Sequence, residues 1–380
     1  MFRRFVLASL VLFFVPTPGI AGAKPTPAAE ILAMPDALRT DFRKRVLEVR
    51  RPEDRRLERL VDYLFSPEGL GIEYQADATY TVAEAYRTRR ANCLTFTLLT
   101  LALAREAGLV AYGQEVEKTL TWRRVDRTIY RTSHVNAGLR VNGERMAVDV
   151  AWNEVISADS PRRIGDDRLF AHFYNNRAIE LMVNGDMDGA IAHARASVVQ
   201  SADFATAWSN LGVLALRSGD ATAARAHYER AVAIDPQHPG ALSNLVMQAR
   251  RDGDARLADA LLARLSRVQS RDPLHQFLLA MDAERSHDFR SAAAHYRRAI
   301  RLHRDEHSFH FGLARVLFEL GEFGPAARAL ARAESLSAGP LAERYHAKLD
   351  ALRAMQGAPG TRATACPGSR SCDSVAPRSL

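Results

Sequence analysis

The sequence predicts a two-part chain, an α+β domain followed by an all-α superhelix of stacked helical hairpins. Three observations lead there. Residues from about 171 to 340 repeat with a period of 34. Upstream, Asn142-Gly143 joins two runs of alternating apolar and polar residues, the strongest short-range signal of a β-hairpin. Before that hairpin, an apolar helical stretch from Cys93 to Ala107 lies between a capping Asn92 and a stopping Gly108. The chain has 380 residues, more than one average domain. Its 47% hydrophobic and 25% charged residues are ordinary for globular protein. The net charge of +8 is almost all arginine, interleaved with Asp and Glu. Mixed signs of that kind read as solvated helix faces. With no zinc-finger, homeodomain or RNA-recognition pattern, nucleic acid is not an expected partner.

Residues 1–23 read as a cleavable secretory signal. Arg3 and Arg4 precede an unbroken apolar run, Phe5 to Val15; Pro16, Pro18 and Gly19 end it, and Ala21-Gly22-Ala23 offers small residues for cleavage. Eleven residues are too few to span a bilayer, and no second run of spanning length follows. A periplasmic or secreted protein without a stable membrane anchor is expected. Residues 24–65 read as a helical segment broken near Pro52, and Ser66 to Gly71 as a loop.

The segment from 66 to 160 carries the residues with chemistry. Thr81 to Arg90 has a helical pattern. Cys93 then opens the long apolar helix, where the macrodipole and free N–H groups favour a thiolate and could stabilise an oxyanion. In the hairpin, a two-residue turn sets 141 opposite 144, hence 136 opposite 149. Val135, Ala137, Leu139, Val141, Met146, Val148 and Val150 then share one apolar face. His134, Asn136, Ala147, Asp149 and Ala151 share the other. His134 and Asp149 become diagonal neighbours with backbones roughly 7–8 Å apart, within reach of an imidazole–carboxylate hydrogen bond. A thiol, an imidazole and an orienting carboxylate are what thiol catalysis of acyl transfer requires. No HExxH, CxxC, phosphate-binding glycine loop or EF-hand-like loop occurs, so no metal or cofactor is expected.

The order of a cysteine on a helix, a histidine on one strand and an aspartate on the next resembles the transglutaminase-like superfamily, which shares the papain-like thiol core. Thr81-Val82-Ala83-Glu84-Ala85-Tyr86, Asn92-Cys93 and Ala104-Arg105-Glu106-Ala107-Gly108-Leu109 are similar to bacterial members that carry tetratricopeptide repeats. The resemblance spans about 66 to 152. It implies Cys93 as nucleophile, His134 as base and Asp149 as orienter. Many members have Gly at the position of Ala91, an aromatic at that of Asn136, and Pro-Thr at that of Val150-Ala151. The superfamily includes transglutaminases, peptidases, amidases and inactive scaffolds, so an adaptor role stands beside an enzymatic one.

Residues 161–170 read as a linker. The repeat region 171–340 holds five units. Gly185, Gly219, Gly253 and Gly321 fall at multiples of 34 residues, with His287 in the one skipped slot. Five residues beyond each comes Ala190, Ala224, Ala258, Ala292 or Ala326. Glycine supplies the turn with positive φ between antiparallel helices, and alanine lets them approach closely. The second unit, with Trp208, Leu211-Gly212, Gly219, Ala224, Tyr228, Ala231 and Pro236, resembles the tetratricopeptide repeat (TPR). That resemblance implies an inner groove lined by Met247, Phe277, Met281, Phe311 and Phe318, with Arg250 and Arg315 among them, suited to a protein or peptide partner. The same side chains equally suit packing between helices. Residues 341–355 read as a capping helix with Glu343, Arg344, Lys348 and Asp350 outward. Residues 356–380, rich in Pro, Gly, Ser and Arg, read as a disordered tail, whose Cys366 and Cys372 could pair or stay free.

Overall fold

The computed structural model describes residues 22–48, 52–116, 122–125, 128–131, 134–149 and 161–357. Most of the signal segment, Val150, Ala151, Cys366 and Cys372 lie outside them. The N-terminal part runs α1 (Ala28–Ile31), α2 (Asp36–Phe42) with a π-helical turn (Arg43–Leu47), α3 (Glu53–Phe65), β1 (Glu73–Tyr74), α4 (Val82–Thr88), β2 (Arg90–Ala91), α5 (Cys93–Glu106), β3 (Val110–Val116), β4 (Trp122–Val125), β5 (Thr128–Arg131), β6 (His134–Val141), β7 (Glu144–Val148) and β8 (Arg162–Ile164).

Helix α5 is the centre of this part. All eleven residues from Leu94 to Ala104 are buried, as expected of a helix apolar on every side. It starts at Asn92, whose side chain accepts from the Thr95 N–H at 2.9 Å. It ends at Gly108, which takes φ +71° while Leu109 N–H returns to the Ala104 carbonyl at 2.9 Å. An antiparallel sheet in the order β7-β6-β3-β8 lies against it. Ile31, Leu38, Phe42, Leu57, Leu60 and Leu64 share one core with α5 and with Val135, Ala137 and Leu139 of β6. Residues 24–65 therefore pack into the domain that follows and form no separate layer. A fully buried leucine such as Leu98 or Leu101 contributes about 2–3 kcal/mol by area.

The hairpin register is the one the Asn-Gly turn dictates: Val141 faces Glu144, Leu139 faces Met146 and Ala137 faces Val148. Met146 nevertheless stays 46% exposed, because β7 is the edge of the sheet. Residues 162–170, expected as a linker, instead supply strand β8, paired with Gly113 to Glu115 of β3, and the first turn of α6.

The repeat region is α6 (Asp166–Val183), α7 (Met187–Gln200), α8 (Ala205–Arg217), α9 (Ala221–Ile234), α10 (Pro239–Arg251), α11 (Ala255–Ser270), α12 (Pro273–Arg285), α13 (Phe289–Leu302), α14 (His307–Glu319), α15 (Phe323–Ser335) and α16 (Gly339–Gly357). Successive helices pair as hairpins. The alanine slots are buried, 0–3% exposed, at Ala190, Ala224, Ala258, Ala292 and Ala326. The turn glycines have φ between +74° and +88°, and His287 takes the same left-handed conformation at +58°. Helix α16 closes the stack with Tyr345, Leu349 and Leu352 turned inward and Glu343, Arg344 and Asp350 exposed.

Several polar contacts join the parts, among them Arg105 to Asp166 at 2.7 Å. Glu115 of β3, 5% exposed, accepts from Arg162 at 2.5 Å and Arg168 at 3.1 Å and bonds His172 of α6 at 2.9 Å. Burial opposes its charge, but His172 and Arg168 hold the carboxyl down at about 2. Glu180 of α6 accepts from the Thr79 N–H at 3.3 Å, one step from the capping network of α5.

Candidate active site

Cys93 is the first residue of α5 and is half-buried. The segment before it is fixed by hydrogen bonds. Asn92 Nδ2 donates to Thr79 Oγ1 at 2.7 Å, Thr95 Oγ1 donates to the Ala78 carbonyl at 2.8 Å, and the Tyr80 N–H donates back to Thr95 Oγ1 at 2.7 Å. Of the first-turn N–H groups, Thr95 is taken by the Asn92 side chain and Phe96 by the Asn92 carbonyl. The amides of Cys93 and Leu94 have no partner within the helix by its geometry.

Strand β6 brings the imidazole to that point. Thr97 Oγ1 bridges the Cys93 carbonyl at 2.8 Å and the Val135 carbonyl at 3.2 Å, which ties the first turn of α5 to the start of the strand. His134 is 2% exposed. Its Nε2 bonds Asp149 Oδ2 at 2.5 Å, and Cys93 is close enough to act on the ring's protonation. Burial alone would push the imidazole down. The hydrogen bond to Asp149 and the electrostatic influence of Asp149 and Cys93 instead raise it to about 9. Asn136, two residues along the same face, donates from Nδ2 to the same Asp149 oxygen, Oδ2, at 3.2 Å. Cys93, His134 and Asp149 thus meet at one place. Sequence reading assigned Asn136 to this face but gave it no role; its position opposite residue 149 was the available signal. Among the described residues no group of three His, Cys, Asp or Glu side chains could hold a metal ion.

The groove candidates divide between the two settings open to them, with Met281, Phe311 and Phe318 packed against the core cluster. Phe277 is 4% exposed and packs against Tyr296 and Phe309, so it belongs to the core. Met247 is 58% exposed, Arg250 is exposed, and Met281, Phe311 and Phe318 are half-buried. Arg315 makes a two-pronged bond to Glu284, at 2.5 and 2.6 Å, and Tyr296 donates to the same carboxylate at 2.9 Å.

Residues 175–239 and 277–340 match the family model of the tetratricopeptide repeat. With the hairpin geometry and the period of 34, they establish a tetratricopeptide superhelix, a fold of protein–protein interaction. No curated protein matches the chain. Among solved structures, MamA from Desulfovibrio magneticus RS-1 is 15% identical over 51% of this chain and 99% of its own, with a TM-score of 0.26. The Pseudomonas aeruginosa pilF structure is 16% identical over 50% and 95%, with a TM-score of 0.28. YrrB, titled a TPR protein with an unusual peptide-binding site, is 17% identical over 47% and 91%, with a TM-score of 0.25. No described helix is long and apolar enough to cross a membrane.

Proposed function

We propose that this is an exported, transglutaminase-like cysteine acyl-transfer enzyme whose tetratricopeptide array recruits its protein substrate or an assembly partner. The observation that supports the reading is the buried His134, bonded to the Asp149 carboxylate at 2.5 Å, with Cys93 near it at the start of α5. Export is supported by Arg3 and Arg4, the apolar run Phe5 to Val15 and the small residues Ala21-Gly22-Ala23.

In this reading His134 takes the thiol proton and Asp149 stabilises the imidazolium. The thiolate attacks an amide or peptide carbonyl carbon, and the developing oxyanion is received by the N–H groups of Cys93 and Leu94 at the positive end of α5. Collapse breaks the C–N bond, with His134 returning its proton to the leaving amine. The thioester on Cys93 then passes its acyl group to water or to a second amine, which frees the thiol. Hydrolysis and transamidation share every step but the last.

Iodoacetamide labelling of Cys93 at pH 6 tests the reading, with glutathione as reference and Cys93→Ala and His134→Ala as controls. Labelling about tenfold or more faster than glutathione, and slowed in His134→Ala, is expected. A rate no higher than that of glutathione would leave a non-enzymatic adaptor, a tetratricopeptide scaffold with a retired thiol domain.

A further inference from the structure

The repeat stack carries a further concavity. Between α13 and α15, with α14 as its floor, lies an open cavity of about 570 Å³. The floor is mostly apolar, with Ile300, Leu313, Leu317, Pro325 and Ala329 beside a single histidine, His310. Its lips are basic. Arg297 and Arg301 stand four residues apart on α13, and Arg328 and Arg332 four apart on α15, all exposed. No carboxylate lines the cavity. Asp305 pairs with Arg332 at 3.0 Å and Glu322 reaches Arg297 at 3.9 Å from outside it, while Arg301 and Arg328 have no ion-pair partner among the described residues.

The chain contains its own control. Two repeats earlier, 68 residues back, the corresponding cavity of about 400 Å³ lies among α9, α10 and α11. Its apolar floor is alike, with Val232, Leu245, Leu257 and Leu261. Its charges are not. Glu229 stands at the position of Arg297, Ala233 at that of Arg301 and Ala260 at that of Arg328, and only Arg332 keeps its arginine, as Arg264. Arg225 on its lip is already engaged by Glu229 at 3.0 Å and by Asp252 at 3.7 Å. Packing between helices accounts for the floor in both places. It does not call for four arginines around only one of them.

The geometry points to the α13–α15 cavity as a docking site for an acidic amphipathic helix, distinct from the inner groove. An apolar stripe of the partner would cover Ile300, Leu313 and Leu317. Asp or Glu side chains bordering that stripe at four-residue spacing would meet the arginine pairs, which share that spacing. Arginine forks favour carboxylates in two-pronged geometry. The apolar floor selects a peptide over a nucleic acid, whose backbone has no apolar stripe to bury.

The test is fluorescence anisotropy with the full chain and a labelled helical peptide of about 18 residues. The probe carries a leucine stripe bordered by glutamates; a second peptide has glutamine at those positions. The glutamate peptide is expected to bind about tenfold or more tighter. Arg301→Glu/Arg328→Glu should remove that advantage. Arg225→Glu/Arg264→Glu at the earlier cavity, and Met247→Ala in the inner groove, should leave it intact. All these side chains but Arg264 and Arg225 are fully on the surface, and circular dichroism checks every variant for fold. Equal binding of the two peptides, no loss in Arg301→Glu/Arg328→Glu, or displacement of the probe by a single-stranded oligonucleotide as readily as by unlabelled peptide would overturn the assignment.

Discussion

Replacing Asp149 with asparagine should lower the pH at which His134 titrates. The imidazole is almost wholly buried, which by itself favours the neutral ring. It is held up at about 9 against a reference of 6.5 by its bond to Asp149 and the influence of nearby Cys93. That difference corresponds to about 3 kcal/mol of preference for the imidazolium in the folded state. The sign follows from linkage. A raised histidine contributes stability that is fully present below pH 6.5 and is lost as pH rises through about 9. Asparagine keeps the shape and one hydrogen bond but removes the charge, so the midpoint should fall by about one to three pH units. The wild type should lose stability between pH 6.5 and 9, by up to about 3 kcal/mol, and Asp149→Asn should lose much less over that range. NMR titration of protein labelled with 13C-histidine reads the midpoint directly, with the resonance assigned through His134→Gln among the 12 histidines. A wild-type midpoint at or below 6.5, or one that Asp149→Asn leaves in place, would refute the reasoning.

Three further outcomes are expected. Asn92→Ala removes the cap on α5 and the bond to Thr79; it should cost about 1–2 kcal/mol in urea unfolding and slow Cys93 alkylation. His287→Gly relieves a left-handed residue at φ +58°; the thermal midpoint should rise, reflecting roughly 0.5–1 kcal/mol after the entropy cost of glycine. Glu115→Leu strips the buried carboxylate from beside Arg162, Arg168 and His172; a loss of about 3–5 kcal/mol is expected by urea unfolding. The wild-type contribution of Glu115 should itself be intact above pH 4.5 and vanish as pH falls through about 2.

The repeats were legible because their signals are local and recur. A glycine turn and a buried alanine depend on one hairpin's geometry, and five copies reinforce each other. The hairpin register was legible for a similar reason: a two-residue Asn-Gly turn leaves a single pairing, and Val141 opposite Glu144 then places every later pair. Strand β8 was not legible. Arg162, Arg163 and Ile164 have little strand character, and they pair with Gly113 to Glu115 only because the sheet edge is there to receive them. Strand β3 was missed too, since Gly113 interrupts its apolar alternation. The tertiary reason for that glycine is close packing: a Cβ there would stand 3.1 Å from Ile164 Cγ1. The charge cluster at Glu115 joins residues 47 to 57 positions apart, and no spacing rule connects them. For Phe277 the family register left groove and core equally open. The actual helix turns it against Tyr296 and Phe309, where burial is worth more than exposure to an empty groove.

The most direct measurement is intact-mass and peptide-mapping analysis of the protein after brief exposure to p-nitrophenyl acetate near pH 7. Thiolate attack would release p-nitrophenolate and leave an acetyl group on sulfur. The expected result is one acetyl on Cys93 in the wild type, none at that residue in Cys93→Ala, and formation about a hundredfold slower in His134→Ala. Acetylation scattered over lysines with Cys93 unmodified, or a Cys93 rate indifferent to the loss of His134, would contradict an imidazole-activated nucleophile.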